Sequence, residues 1–288
     1  MDSISQIVQI EDSRGHADTI DADVIAVPSA ERTRRSIKPL SLVGVIVIWQ
    51  VISVINQLVP KPFYNPLLFP APLDLIKAAW GLILTGDLQR HTAASILRIV
   101  AGLLWATPIG ILVGIGVARV RWIENLVEPI VELLRPIPTL ALLPMFILWL
   151  GIGETSKIFF IAYSCFFVIF TTTMLGVRNV DPVLIRAGKS LGMNQFQLYW
   201  FVILKSALPD IMVGFRLGLS VGFLVIVASE FIAADTGLGF LINYSRSWFR
   251  VDQMLVGAAV IGILGLTTNY ILLAIEKRLF RWRTTSNS

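Results

Sequence analysis

The sequence predicts an all-α integral membrane protein with six transmembrane helices and a polar helix-turn-helix between the fourth and the fifth. The first observation behind this prediction is composition: 55% of the 288 residues are hydrophobic, 15% are charged, and the mean hydropathy is +0.75. A soluble domain usually carries about 25% charged residues. The second observation is a series of long apolar runs. The third is a polar, amphipathic insert at residues 181–214 that separates two of these runs.

The chain is predicted to divide into a few distinct parts. The N-terminal segment is polar and lacks the apolar core of a signal peptide. The predicted parts are a flexible cytoplasmic tail (1–38), a first transmembrane helix (39–59), a periplasmic segment (60–91) with an amphipathic helix over 73–84, a five-helix core (92–279) that contains the polar loop 181–210, and a second cytoplasmic tail (280–288).

Each predicted span is long enough to cross about 30 Å of hydrocarbon, which takes roughly 20 apolar residues in a helix. The six spans are predicted at residues 41–59, 92–118, 128–150, 157–176, 211–234 and 255–275.

The distribution of Lys and Arg predicts the orientation of the spans, because cytoplasmic loops collect basic residues. With the N-terminus inside, fifteen basic residues outside the spans fall on the inner side. Six fall on the outer side, namely Lys61, Lys77, Arg90, Lys157, Arg246 and Arg250. Both termini and the polar insert are therefore predicted to be cytoplasmic. This asymmetry also explains the net charge of +5 without any nucleic-acid-binding face.

Small residues at four-residue spacing predict close packing of two spans. They are Gly102, Ala106, Gly110, Gly114 and Ala118 in the second span, and Gly214, Gly218 and Gly222 in the fifth. Such stripes let helix backbones approach closely, which places both helices inside the bundle. Cys165 is predicted to have a packing role.

The third span contains four prolines, Pro129, Pro136, Pro138 and Pro144. Prolines at this density free backbone carbonyls that must face protein or water. A broken helix beside a solute path and a kinked, purely structural span are both compatible with the pattern.

Several charges fall within or beside the spans and need partners, because an unpaired charge in lipid is costly. Arg98 and Glu230 are predicted at compatible depths, so they form an ion pair, or Arg98 receives an anionic headgroup such as sulfonate. Glu132 and Arg135, three residues apart, are interpreted as an internal helix pair or a gate. Arg216 contacts the polar loop or extends to the interface. Residues 154–157 are polar and are predicted to cap the fourth span, with partner contact as the alternative.

The insert is predicted to form two short helices. Asp181 is a good N-cap followed by Pro182, and Gly192 stands where a helix would end in a left-handed residue. A second helix would be capped by Asn194 and end at Pro209. Its apolar stripe consists of Phe196, Tyr199, Trp200 and Ile203. A helix pair held between two spans is suited to passing a push from a soluble protein into the membrane.

The same insert resembles the Glu-Ala-Ala loop of permease subunits of binding-protein-dependent ABC importers, and the taurine, alkanesulfonate and nitrate permease branch is the most similar. The matching residues are Ala187, Leu191, Gly192, Val202, Leu204, Ala207, Pro209, Ile211, Gly214, Arg216 and Gly218. Further similar runs are RPIP at 135–138, WLGIGETSK at 149–157 and SEFIAADTGLGF at 229–240. Arg186 departs from the family pattern where Glu is usual, and Lys205 replaces a Pro.

The resemblance spans roughly residues 92–279 and implies the type I ABC importer permease fold in a bacterial inner membrane. It implies a second copy of the chain, two ATP-binding cassette subunits that bind ATP and Mg, and a periplasmic binding protein, with membrane lipid around the spans and no cofactor on this chain. The implied ATPase-coupling residues are Arg186, Ala187, Gly188, Leu191, Gly192 and Met193. The candidate path or gate residues are Arg98, Glu132, Arg135, Pro136, Pro138 and Glu230. The implied solute is taurine or another alkanesulfonate, followed by nitrate or bicarbonate, or an aromatic acid.

Two other function classes are disfavoured by the sequence. A membrane enzyme would need a second carboxylate, a metal set or a nucleophile and base beside Glu132 or Glu230. An ion-coupled secondary carrier would often show an inverted repeat and would leave the polar insert without a role. The run Gly188-Lys189-Ser190 lacks the first Gly and the strand of a phosphate-binding loop, and two isolated histidines, His16 and His91, do not make a metal site. The sequence therefore predicts a transporter subunit that is not itself an enzyme.

Overall fold

The computed structural model describes residues 39–60 and 62–280, and in these residues every regular element is helical. The helices are α1 Pro39–Leu58, α2 Pro72–Leu84, α3 Asp87–Arg119, α4 Arg121–Leu134, α5 Leu143–Leu150 after a 3₁₀ turn at Thr139–Leu142, α6 Glu154–Arg178, α7 Pro182–Ser190, α8 Gln195–Leu198, a π-helical turn at Tyr199–Ile203, α9 Leu204–Ala233, α10 Leu238–Ser247 and α11 Val251–Leu279. The predicted cytoplasmic tails lie outside the described residues, except for Phe280, which is the buried C-cap of α11.

The chain forms two compact units, residues 1–47 and residues 48–288. The first unit is described only over the beginning of α1. The packed core and the candidate sites all belong to the second unit.

All six predicted spans coincide with helices. In the described part of the chain, four helical stretches are long and apolar enough to cross a membrane: α3, α6, residues Gln195–Ile232 and α11. The third predicted span is a bent pair, α4 with the segment Thr139–Leu150, at an angle of 89°. The first corresponds to a shorter apolar helix at Val43–Leu58. The all-helical membrane fold is thus confirmed, although α3 begins at Asp87 and α4 at Arg121, before the predicted starts at residues 92 and 128.

Helix α6 is the central element of the core, because α3 and α9 both pack against it. The fully buried side chains of this core come from all three helices and include Ile99, Phe160, Ile161, Ile169 and Ile226. The predicted small-residue stripes face α6 on both sides. A Cβ added at Gly102 would lie 2.6 Å from Ile161 Cγ2, and one added at Gly218 would lie 3.0 Å from Ile169 Cγ1. Cys165 is buried between α6 and α9, where its Sγ donates to the Gly218 carbonyl at 3.2 Å.

Gly102→Ala is expected to destabilise the protein by about 1–3 kcal/mol, because the new methyl overlaps the β-branched side chain of Ile161 and forces the two helices apart. Thermal unfolding in detergent can be followed with a thiol-reactive dye, since Cys165 is buried until the core opens. Gly81→Ala is the matched control, because nothing lies within 4 Å of its added Cβ and the same change is favourable in an open helix position. Equal melting temperatures for the two variants would show that the close approach of α3 and α6 does not limit stability.

Candidate coupling elbow and translocation site

Residues 181–203, here called the elbow, begin with a helix whose two ends are closed by local hydrogen bonds. The Asp181 carboxylate accepts from the Val183 N–H at 2.7 Å and caps α7. At the other end, the N–H groups of Gly192 and Met193 donate to the carbonyls of Lys189 and Gly188 at 3.0 and 3.2 Å. Gly192 has φ = +77°, the left-handed conformation that closes helices in this way. The predicted bounds and caps of the first elbow helix are confirmed.

The second half of the elbow starts as predicted but does not end as predicted. Asn194 and Gln197 form a reciprocal capping box, with side chain to backbone distances of 2.8 and 3.0 Å. The prediction that Pro209 ends this helix is wrong, because Pro209 lies inside α9. Its neighbours Ala207 and Ile211 are buried against the ends of α3 and α6, and this packing keeps the segment helical although Pro lacks the N–H of a regular turn.

A π-helical turn at Tyr199–Ile203 precedes the proline, and the Leu204 N–H donates to the Tyr199 carbonyl. Pro209 therefore sits in a continuous helical rod that runs from Gln195 to Ile232. The elbow is therefore joined to the fifth span by continuous helical backbone.

The two helical parts of the elbow, α7 and α8, pack closely at Gly188. A Cβ on Gly188 would lie 2.6 Å from Leu198 Cδ1, so a larger residue at this position would require the Leu198 side chain to move. Leu198 and Ile203 are buried in a cluster with Val177 and Val180 from the end of α6. Of the implied coupling residues, Gly188 and Met193 thus face the bundle and maintain the geometry of the elbow.

The outer face of the elbow exposes apolar side chains together with a basic one. Val183, Leu184 and Leu191 are exposed, and Arg186 and Ala187 are exposed on the same helix. Leu191, at 77% exposure, projects from the end of α7. An apolar patch of this kind at the end of a bundle is typical of a surface that another protein covers.

At the other end of the bundle, Arg98 is buried in a polar cluster with Ser95, Glu154, Glu230 and Thr236. Its Nε and Nη2 donate to the two oxygens of Glu154 at 2.6 and 2.8 Å, and its Nη1 donates to Glu230 Oε1 at 2.6 Å. The Thr236 carbonyl and hydroxyl accept the remaining donors, at 2.5 and 3.0 Å. A guanidinium has five N–H donors, and all five are used here. Arg98 is therefore an ion-pair partner of Glu230, as one of the two readings predicted, and has no donor left for an anion.

Glu230 connects this cluster to the start of α10. It is 1% exposed and accepts from the Ser95 hydroxyl at 2.8 Å and from the Gly239 N–H at 2.8 Å. The neighbouring Gly237 N–H donates to His91 Nδ1 at 3.0 Å. A carboxylate at the N-terminus of a helix is favoured by the helix dipole. The glycine-rich segment at residues 236–239 therefore forms a turn whose N–H groups are bonded by the buried side chains of His91 and Glu230.

The prediction that residues 154–157 cap the fourth span is wrong. The N-cap of α6 is Gly153, without a side-chain hydrogen bond. Glu154 instead bridges Arg98 and Lys157, whose Nζ lies 2.8 Å from Glu154 Oε1. A role for Glu154 beside Arg98 was not predictable from the sequence, because the two residues come together only when α3 and α6 pack.

The third span breaks at residues 135–138, where Pro136 and Pro138 follow the end of α4 at Leu134. The predicted internal pair of Glu132 and Arg135 is wrong: no salt bridge joins them in the described residues. Arg135 is the C-cap of α4 and keeps helical backbone angles, with its N–H bonded to the Val131 carbonyl, so the helical spacing holds but the two side chains do not pair. Its side chain instead lines a cavity of about 350 Å³ at the break.

Three acidic residues pair across helices at the elbow end, and the sequence reasoning missed all three. Arg178, near the end of α6, lies 2.7 Å from Glu124 and 3.2 Å from Glu128 of α4. Arg216 of α9 lies 3.2 Å from Glu276 of α11, which is neither of the two predicted arrangements. Comparison of depths could have found this pair, since Glu276 follows directly on the predicted sixth span and Arg216 lies in the inner part of the fifth.

The family model of binding-protein-dependent transport system inner membrane components matches residues 106–283. The chain belongs to this family. It is a permease subunit of a binding-protein-dependent ABC importer, and the predicted resemblance is confirmed.

Among curated permeases, the taurine transport system permease protein TauC of Escherichia coli K12 is 36% identical over 84% of this chain and 88% of its own length. The putative aliphatic sulfonates transport permease protein SsuC of Bacillus subtilis 168 is 32% identical over 84% of this chain and 85% of its own length. The permease is thus similar to taurine and sulfonate permeases over most of its chain.

Two solved structures share the fold of the permease. The crystal structure of an amino acid ABC transporter with histidines aligns with a TM-score of 0.56 at 20% identity, covering 72% of this chain and 97% of that chain. The inward-facing MetNI methionine ABC transporter aligns with a TM-score of 0.51 at 20% identity, covering 75% and 98%. At this identity the likeness concerns the fold alone, and it is the type I importer permease fold.

Proposed function

We propose that two copies of this permease form the path for a small anion, with taurine or another alkanesulfonate as the solute, and that a separate ATPase drives the transport. The similarity to taurine and sulfonate permeases supports the solute class. In this proposal a periplasmic binding protein delivers the solute, and two ATP-binding cassette subunits bind ATP and Mg. Both termini and the elbow face the cytoplasm of a bacterium, in agreement with the excess of basic residues on that side.

The exposed apolar face of the elbow is the observation on which the ATPase coupling rests. Val183, Leu184 and Leu191 are exposed there, whereas the opposite face of the elbow is packed on the ends of α3, α6 and α9. An ATPase that displaces this face would therefore displace the spans as well. Arg178 links the elbow to α4 as well, because it lies three residues before the Asp181 cap and forms an ion pair with Glu124 of α4.

The proposal is tested by reconstituting the permease with the two ATPase subunits and the binding protein in liposomes and measuring uptake of taurine. ATP-dependent uptake is the expected result, with methanesulfonate, nitrate, bicarbonate and benzoate as competitors. Stronger competition by nitrate, bicarbonate or benzoate would replace the sulfonate assignment. Uptake by the permease alone without ATP would overturn the coupling and indicate an ion-coupled carrier.

Arg186→Glu is expected to weaken association with the ATPase by a few fold, since a rim charge in an interface contributes modestly and mainly through complementarity. Arg186 is exposed on α7, where most of the resembling permeases carry an acid. Co-purification with the ATPase at low and high salt measures the effect. Arg121→Glu, an equal charge change at the same end of the bundle but on α4, is expected to leave association unchanged. An Arg186→Glu complex as tight as the wild type would show that the basic residue has no charged partner on the ATPase.

A further inference from the structure

The cavity at the break of the third span lies at mid-depth in the bundle. Its lining runs along α6 from Tyr163 to Thr172, which is the middle of a helix that extends from Glu154 to Arg178. Val221, near the middle of α9, lines it from the other side. Both helices are candidate spans, so this part of the lining falls in the middle of two spans and not at their ends.

The lining of this cavity is mixed, because apolar side chains such as Phe167 and Val168 alternate with hydroxyls and a single base. Arg135 is its one charged residue, and no acidic residue contributes. Thr139, Tyr163 and Thr171 also line it, and within the described residues their hydroxyls make no hydrogen bond to the protein. Ser164 and Thr172 differ, because their hydroxyls donate to carbonyls of their own helix at 2.8 Å.

Arg135 is exposed and, like Arg121 and Arg186, has no protein partner for its side chain among the described residues, but it alone of these three lines the cavity. Arg98, Arg178 and Arg216 each pair with at least one carboxylate. In the part of the chain that the structure describes, no carboxylate or carbonyl takes a hydrogen bond or an ion pair from Arg135. A charged side chain at mid-membrane is retained where it faces water or an ionic partner. The break at Pro136 and Pro138 exposes backbone that also requires such surroundings.

We propose that this cavity is the solute site within the membrane, where the Arg135 guanidinium binds the sulfonate or related oxyanion group of the transported anion. The planar guanidinium matches two oxygens of such a group in a bidentate contact. The hydroxyls of Thr139, Tyr163 and Thr171 are positioned to donate to the remaining oxygen. The inference rests on the proposed function, and it moves the anion contact from Arg98, whose donors are all occupied, to Arg135.

The first test is taurine uptake by Arg135→Gln and Arg135→Lys permeases reconstituted with the ATPase subunits and the binding protein. We expect Arg135→Gln to lower uptake at least tenfold while the complex assembles and its ATPase activity still responds to the liganded binding protein. Arg135→Lys should retain part of the uptake, because it keeps the charge but not the bidentate geometry. Arg121→Gln, on the same helix outside the cavity, should transport normally. Normal uptake by Arg135→Gln would overturn the site. An absence of anion uptake by the wild-type complex would overturn the proposed function itself.

A second measurement does not depend on transport. Thr171→Cys in a Cys165→Ala background is expected to react with sulfonatoethyl methanethiosulfonate, a charged reagent that needs water, and excess taurine should slow the reaction. Leu104→Cys, exposed in the middle of α3 outside the cavity, should not react. Failure of taurine to protect Thr171→Cys, or equal reactivity of the two cysteines, would overturn the site.

Discussion

Glu230→Ala is expected to destabilise the protein by about 3–5 kcal/mol, because it leaves the buried Arg98 without one of its two carboxylates. Glu230 is fully buried. The change also removes the acceptor of the Ser95 hydroxyl and of the Gly239 N–H at the start of α10. With about 2–4 °C per kcal/mol for a chain of this size, the thiol-dye melting temperature in detergent should fall by at least about 6 °C.

Glu154→Gln provides the matched control, because Glu154 accepts from the same guanidinium but its side chain is 58% exposed. Solvent screens such a pair, so the expected loss is below about 1 kcal/mol. Similar melting temperatures for the two variants would show that burial of the Glu230 contact does not determine stability. The proposed solute path does not depend on that outcome, since it uses Arg135 at a different depth.

Ala187→Asp is expected to abolish association with the ATPase while leaving insertion and folding of the permease intact. Ala187 is exposed on α7 beside the apolar residues of the elbow, and an unpaired carboxylate in an apolar interface must be desolvated without compensation. Every 1.4 kcal/mol corresponds to a tenfold change in affinity, so a loss of at least about tenfold is expected. Co-purification of the ATPase on a tagged permease measures it.

Gln195→Asp adds the same charge to the elbow and serves as the comparison. Gln195 is exposed in the first turn of α8, where a negative charge is favourable, so this variant should retain association. If Ala187→Asp co-purifies as well as the wild type does, α7 is not the contact with the ATPase. If its melting temperature falls with its association, the loss reflects misfolding of the elbow.

Caps and turns of the elbow were predictable because their hydrogen bonds join residues that are close in sequence. Asp181 bonds two residues on, Asn194 bonds three residues on, and Gly192 closes α7 through carbonyls of the preceding turn. The residue types at these positions are those that the local geometry requires. Pro209 shows the limit of this reasoning, because burial of Ala207 and Ile211 overrides the local tendency of proline to end a helix.

The partners of charged residues were less predictable. Depth along the spans matched Arg98 with Glu230, but Glu154, the second partner, is 56 residues from Arg98 in sequence. Arg178 pairs with Glu124 and Glu128, which lie about 50 residues earlier in the sequence. The failed pairing of Glu132 with Arg135 shows that helical spacing alone does not make a pair. Arg135 keeps helical backbone angles, but it lines the cavity at the break instead of contacting Glu132.

The sequence by itself determined that this chain is a helical membrane permease of the ABC importer type, because composition, apolar periodicity and the elbow motif are properties of the sequence or of short segments. Only the tertiary structure decided that Arg135, and not Arg98, is free to meet an anion. That depends on whether a carboxylate from a distant helix uses the donors of the guanidinium, as Glu154 and Glu230 do for Arg98 and none does, among the described residues, for Arg135.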